Sequence, residues 1–281
     1  MSFKTILAVA EFTEDVKSRL QSAVDLARTQ DAHLAVLLVG EVPSLPFYGY
    51  GGAGYTKVWM EEGEERVAAL KALQEDVDAA LAKEGISFDV RAHQAIVARE
   101  DNLVARHAIY SDLAVILRSG DGELNTVERQ AIDGALFDSG RPLLFLPKPD
   151  VPQTVGQNIL VAWNSRAEAA EALSDAMPFL LGADKVTLLL VDPVSGPDDH
   201  GKSPGADMAL VLARHDVEVE VRQVSTNGST IAEVLNREAK TLGADLIVMG
   251  ARGHSRMRQT ILGGTTREML EETACPLFLA H

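Results

Sequence analysis

The strongest constraint on this chain is that it is one unit written twice. Short apolar runs alternate with longer amphipathic stretches, and the whole series recurs. The first set is TILAVA (5–10), HLAVLLVGEV (33–42), FDVRAHQAI (88–96), DLAVILR (112–118) and PLLFLP (142–147). The second is NILVAW (158–163), KVTLLLVD (185–192), VEVEVRQV (217–224), DLIVMG (245–250) and PLFLAH (276–281). Continuous apolar runs of this length read as strands buried on both faces. VEVEVRQV alternates instead, and its counterpart near residue 90 is also polar, so both belong at sheet edges. Helical patterns fall between the strands in matching places: 14–30 with 167–181, 98–109 with 230–242, and 126–138 with 265–273. Each half therefore reads βαβαβαβαβ. That order predicts an α/β protein with two tandem doubly wound parallel five-stranded sheets, strand order 3-2-1-4-5, and helices on both faces.

The predicted domains are residues 1–150 and 151–281. Their joint is PKPDVPQTVGQ (147–157), which carries three prolines and no periodicity. The first half is longer between its second and third strands, where YGYGGAGY precedes a charged helical stretch near 57–84. A chain of 281 residues with 46% hydrophobic content suits two such domains. Its net charge of −15 repels nucleic acid and anionic membrane, so neither is an expected partner. No window reaches the ~20 apolar residues of a bilayer span. Cys275 is the single cysteine, which excludes an internal disulfide and a cysteine-based metal site. A cytoplasmic location is expected.

Three glycine motifs compete for attention. Gly49, Gly51 and Gly54 form a G-x-G-x-x-G, but it follows the second strand after Pro43 and Pro46, and the acids about 20 residues on (Glu75, Asp76) lie in a helical stretch. A dinucleotide fingerprint needs the turn after the first strand, so this reads as a loop. Gly196 to Ser203 fits G-x-x-x-x-G-K-S. Pro197 removes a backbone donor, Asp198 and Asp199 oppose phosphate, and Pro204 disfavours the helix that must follow. It too reads as a surface loop.

The third motif is Gly250-x-x-Gly253, nine residues, then Gly263-Gly264-Thr265-Thr266. Gly250 ends the fourth strand of its half. Thr265 and Glu268 match a T-x-x-E capping box, which predicts a helix from near Thr266. Helix N-termini offer unpaired N–H groups and partial positive charge to phosphate, and glycine lets the anion approach. Arg252, Arg256, Arg258 and Arg267 add charge nearby. The plain alternative is a glycine-ended strand and a capped helix with solvated arginines. Topology favours the ligand reading, because doubly wound sheets bind where strand order reverses, between the first and fourth strands. Asn164 follows the first strand, so it and Gly250 are expected to meet at one crevice.

This glycine pattern after a fourth strand, together with ILVAWNSRAEAAEAL and ETACPLFLAH, resembles the nucleotide motif and the first and last strands of the universal stress protein family. The chain resembles a tandem, two-domain member. The resemblance implies a stress-response protein that binds ATP or another adenine nucleotide in its C-terminal domain and acts as a nucleotide-dependent sensor or regulator. Any Mg²⁺ would be held largely by the phosphates. It implies that Asn164 stands where the family places an acid toward adenosine, with Ala162 and Trp163 lining the pocket. Val191 and Asp192 would offer the backbone platform for adenine. Met249, Gly250, Arg252 and Gly253 would lie along the phosphates, and Gly263, Gly264, Thr265 and Thr266 would cradle them. The chain departs from the family at Asn164, where an amide replaces the acid, and at Gly264, where serine is frequent. Trp163 is bulky enough to stack on a base or to take its place.

Aligned on the fourth strand, the first half has Leu117 where Gly250 stands, Gln130 where Gly263 stands, and Gly120 for Gly253, with Asp121 and Glu123 nearby. Glu11-Phe12-Thr13 replaces Trp-Asn-Ser. No nucleotide is expected there; the first half reads as a degenerate pseudo-dimer partner. The last strand, PLFLAH, has two possible neighbours, PLLFLP of the same chain or its equivalent in a homodimer. No catalytic residues are assigned. The seven histidines are scattered without metal-ligand spacing, and His254 reads as a polar loop residue. A slow ATPase and an interaction or scaffold protein that binds no nucleotide are the alternative functions.

Overall fold

The computed structural model describes residues 2–13, 15–42, 53–96, 102–120, 122–148, 155–194, 203–251 and 263–281. The first half runs β1 (Thr5–Glu11), α1 (Val16–Gln30), β2 (His33–Val42), α2 (Ala53–Leu81), β3 (Phe88–Ile96), α3 (Leu103–Ala108), β4 (Leu113–Leu117), α4 (Thr126–Asp133) and β5 (Leu143–Leu146). A π-helical turn, Gly134–Asp138, extends α4. The second half runs β6 (Asn158–Ala162), α5 (Ala167–Asp175), α6 (Met177–Leu180), β7 (Lys185–Val191), α7 (Ala206–Ala213), β8 (Val219–Val224), α8 (Ile231–Leu242), β9 (Leu246–Gly250), α9 (Gly264–Glu272) and β10 (Leu277–Ala280).

Both halves have the strand order 3-2-1-4-5, but they do not form separate sheets. One ten-stranded sheet runs β3-β2-β1-β4-β5-β10-β9-β6-β7-β8. All neighbours are parallel except β5 and β10, which join antiparallel with Phe145 opposite Leu277 and Leu144 opposite Phe278. The last strand thus finds its partner within the chain. Both strands are fully buried runs, LLFL and LFLA, and their pairing removes two apolar edges at once. The polar strands β3 and β8 are left at the edges, where alternation suits one wet face. Two large apolar clusters, one on each face of the sheet, continue across both halves. Side chains such as Phe145, Phe278 and Ile116 are almost wholly buried, each contributing about 1.5–3 kcal/mol of transfer free energy.

Two local expectations change. The helical stretch 167–181 divides into α5 and α6 around Ala176, with Pro178 in the first turn of α6. Within the stretch 98–109, α3 starts after Asn102, whose side chain caps it by accepting from the N–H groups of Val104 and Ala105. Arg118 follows β4, lies 6.0 Å over the Phe145 ring, and donates to the Glu271 carbonyl of α9 at 3.2 Å. That bond ties the first half to the last helix. Among the described residues no helix is long and apolar enough to cross a membrane.

Candidate functional site

A cavity of about 360 Å³ opens at the carboxyl ends of β6, β7 and β9. The N-terminal ends of three helices converge on it: α5 contributes Glu168 and Ala169, α8 contributes Ile231 and Leu235, and α9 contributes Gly264, Thr265 and Thr266. This is the place where strand order reverses in the second half, since β6 lies between β7 and β9.

The local sequence explains the opening. After β6, Asn164 accepts a hydrogen bond from the Arg166 N–H at 3.1 Å, and Ser165 takes a left-handed conformation with φ 58°. The chain reverses there and enters α5. Asn164 is exposed at the cavity mouth. Trp163 lines the cavity without filling it and packs against the core cluster that contains Ala172 and Leu173. Its N–H donates to the Leu189 carbonyl at 2.9 Å, so the backbone that carries the indole is anchored to β7. Gly250, at the end of β9, faces the first turn of α5; a Cβ there would lie 2.6 Å from the Ala169 nitrogen. Only glycine allows β9 and α5 to close to this distance.

The helix α9 starts differently from the expectation. Its N-cap is Gly263, in extended conformation (φ −61°, ψ 152°), and among the described residues no side chain caps it. The Thr265–Glu268 capping box does not form, because the helix already begins at Gly264. Thr266 lies within the first turn, buried at 2% exposure. The first helical bond is Arg267 N–H to the Gly263 carbonyl at 3.0 Å, which leaves the amides of Gly264, Thr265 and Thr266 ahead of the hydrogen-bond ladder. An uncapped glycine N-terminus facing a cavity presents its N–H groups to whatever enters.

Of the residues singled out above, Ala162, Trp163, Asn164, Val191, Met249, Gly250, Gly263, Gly264, Thr265 and Thr266 line this one cavity. Asp192 does not. It adopts φ 46°, and its carboxylate accepts from the Thr226 hydroxyl at 2.6 Å and from the Thr226 N–H. Those hydrogen bonds hold its pKa below the usual aspartate value. Arg252, Gly253, His254, Arg256 and Arg258 lie outside the described residues. So do most of the two rejected glycine motifs. Glu168, Ala169, Leu189, Ile231 and Leu235 also line the cavity and were not singled out. The i,i+4 spacing of Ile231 and Leu235 behind the Thr230–Glu233 capping box was a readable signal for an apolar face at the switch point. Glu168 had no such signal, since its place depends on the turn at Ser165. Among the described residues no group of three or more His, Cys, Asp or Glu side chains is placed to hold a metal ion.

The equivalent crevice of the first half is occupied by its own side chains. Strand register corrects the alignment here. Ile6 pairs with Leu113 as Ile159 pairs with Leu246, so Glu11, not Phe12, stands at the place of Asn164. The loop after β4 is also shorter, and Asn125, not Gln130, is the helix N-cap in the place of Gly263. Fixed spacing failed because loop length is free to vary while strand pairing is not. The Asn125 amide donates to Glu11 at 2.7 Å and to the Ser119 hydroxyl at 2.8 Å, and Glu128 completes a capping box. The buried Arg19 donates to the Leu117 carbonyl and the Thr13 hydroxyl. Where the second half has an uncapped helix and an opening, the first half has a closed polar network.

Comparison with known proteins agrees with this geometry. Residues 156–281 match the model of the Universal stress protein family. A universal stress protein of Synechocystis sp. is 26% identical over 137 residues, 49% of this chain and 46% of the relative. A universal stress protein of Bacillus subtilis is 33% identical over 63 residues, 22% of this chain and 42% of the relative. The matched segments therefore span less than half the length of these curated relatives. The crystal structure of a universal stress protein from Archaeoglobus fulgidus superposes with a TM-score of 0.68 at 21% identity, covering 98% of this chain and 97% of that one. At that identity the likeness speaks for the fold.

Proposed function

We propose that this chain is a member of the universal stress protein family through its second half, where residues 156–281 match the family model, and that the cavity between Asn164 and the start of α9 binds an adenine nucleotide. The protein then acts as a nucleotide-dependent sensor or regulator, with residues 151–281 as the binding domain and residues 1–150 as its pseudo-dimer partner. One observation carries the reading: an apolar pocket and an uncapped helix N-terminus meet in a single cavity at the reversal of strand order. Ala162, Leu189, Val191 and Met249 supply an apolar lining suited to a base. The amides of Gly264, Thr265 and Thr266 suit a phosphate. Asn164 offers amide donors toward base or ribose, without the charge-assisted acceptance of an acid. The purine-facing role of Asp192 is confined to its backbone, because its side chain is taken by Thr226.

Calorimetric titration with ATP, ADP, AMP and adenosine tests this, together with mass spectrometry of nucleotide released on denaturing the purified protein. The Gly264→Asp variant sharpens it. A Cβ at Gly264 meets nothing within 4 Å, so the variant folds while placing a carboxylate at the phosphate end. It should weaken ATP at least tenfold, about 1.4 kcal/mol, and adenosine little. Equal affinity of wild type and variant for ATP would refute the assignment of the phosphate end.

A second reading, an interaction protein that binds no nucleotide, is favoured by one feature. Glu168 lines the same cavity and sets an acid beside the place of the phosphates. Absence of heat at millimolar nucleotide would support it. Phosphate release with Mg²⁺ above background would instead support a slow ATPase.

A further inference from the structure

The join between β5 and β10 leaves the sheet with two outer strands, β3 and β8, and they are not equally open. Backbone groups along a strand point alternately to its two sides. The Leu34 N–H donates to the Ser87 carbonyl at 2.9 Å, so Ser87 faces β2 and, by alternation, Val90 faces outward. That outward carbonyl accepts from the Gln74 amide of α2 at 2.8 Å, and Val90 is 9% exposed. The edge of β3 is covered by the chain itself.

The edge of β8 is different. The Asp192 N–H donates to the Val224 carbonyl at 2.9 Å, which turns Val224 toward β7. By the same alternation Val219, Val221 and Gln223 turn their N–H and C=O groups outward, and among the described residues no other strand pairs with them. The side chains divide by chemistry. Val219 and Val221 lie on the face of α7, where an apolar groove of about 900 Å³ is lined by Ala209, Leu210, Val219 and Val221. Leu210 is 53% exposed and Val221 37%. Glu220 and Arg222 lie on the face of α8, where Arg222 meets Glu238 at 2.8 Å and Glu220 meets Lys185 of β7 at 3.3 Å.

We propose that β8 is a dimerisation edge, which pairs antiparallel with β8 of a second copy about a two-fold axis at Val221. The sequence of the strand selects this register. A centre at Glu220 or Arg222 sets like charges directly opposite each other, a centre at Val219 sets Glu218 against Glu220, and a centre at Gln223 sets Arg222 against Val224. A centre at Val221 sets Glu220 opposite Arg222 of the second copy, and Arg222 opposite its Glu220. These fall at non-hydrogen-bonded pairs, where facing side chains lie closest, while Val219, Val221 and Gln223 exchange the backbone bonds. Glu220 and Arg222 keep their own partners and have side chains 56% and 38% exposed, so the dimer lengthens a row of alternating sign: Lys185, Glu220, then Arg222 and Glu238 of the second copy. On the other face the two apolar grooves come side by side. The chain already joins its own halves in this manner, through antiparallel β5 and β10. Because the edge of β3 is covered, the contact closes at two copies and does not propagate. It is independent of the nucleotide cavity.

Sedimentation of the full chain across a range of concentrations tests this, and a reversible dimer is expected. Val221→Pro removes the central outward N–H at a place where an edge strand tolerates proline. Glu220→Arg sets arginine against Arg222. Each should weaken the dimer at least tenfold. Arg222→Glu should do the same, yet an equimolar mixture of Glu220→Arg and Arg222→Glu chains should dimerise, since each supplies the charge that the other needs. Circular dichroism checks that the variants fold; Arg222→Glu faces Glu238, and should it fail to fold, the other two variants decide. A wild type that stays monomeric up to about 1 mM, a dimer that survives Val221→Pro or Glu220→Arg, or folded charge variants that stay monomeric when mixed would overturn the proposal.

Discussion

A Cβ on Gly250 would lie 2.5 Å from the carbonyl carbon of Glu168. The end of β9 and the first turn of α5 are therefore in backbone contact, with no room for a methyl group. Since Gly250 has no unusual φ, the demand is for space and not for conformation. Gly250→Ala must push α5 away from β9, and overpacking of this kind costs about 1–3 kcal/mol. Urea unfolding should show that loss, and nucleotide binding should weaken because Glu168 and Ala169 line the cavity. Unchanged stability would mean that α5 moves freely, contrary to the packing described.

The closed network of the first half predicts one nucleotide per chain. Asn125 both caps α4 and holds Glu11, so Asn125→Ala should cost about 1–2 kcal/mol in thermal unfolding. It should leave the nucleotide stoichiometry at one, because Arg19 and Glu128 still occupy the crevice. A second binding event in the variant or the wild type would show that the network opens.

Asp133 predicts a pH dependence. Burial, and then the negative charge of Asp138, push its carboxyl from 3.8 up to about 6. The folded state holds this proton more tightly than the unfolded chain does. Stability therefore falls as pH rises from about 4 to about 6, and the full penalty persists above that window. Asp133→Asn should gain on the order of 1 kcal/mol at pH 7, a figure reduced for the solvent that screens a half-buried side chain. The gain should vanish below about pH 4. Chemical denaturation at the two pH values checks both; an equal gain at each would exclude the carboxyl as its source.

Cys275 should be slow to react. Burial, with the charge of Asp245 adding to it, pushes its thiol up to about 12, so the thiolate is scarce at neutral pH. Iodoacetamide at pH 8 should label it far more slowly in the native protein than in urea. Complete labelling of the folded chain within minutes would contradict that environment.

Much of this was legible in the residues alone. The ten apolar runs became ten strands, and both halves took the order expected from alternating strand and helix patterns. The edge positions of β3 and β8 followed from polar alternation. These features are local or periodic, so a window of a few residues carries them. The crevice at Asn164 and Gly250 was readable because the strand order follows from the alternating pattern, and the place of the cavity follows from that order.

Other features needed distant parts of the chain to meet. LLFL and LFLA are equally apolar on either partner, and only packing chose Phe145 opposite Leu277 and so made one sheet of two. Thr265 and Glu268 have capping-box spacing, yet the extended backbone at Gly263 starts the helix earlier. Asn125 replaced Gln130 because a loop can shorten without disturbing strand register. Arg91 and Arg222 look alike in sequence; their difference is His107 against Glu238, set by which helix lies over each strand. Periodicity in the chain determined the elements and their order, since each strand or helix carries its own burial pattern. Partners, helix starts and side-chain neighbours were decided by the tertiary structure, since they depend on contacts between residues far apart in sequence.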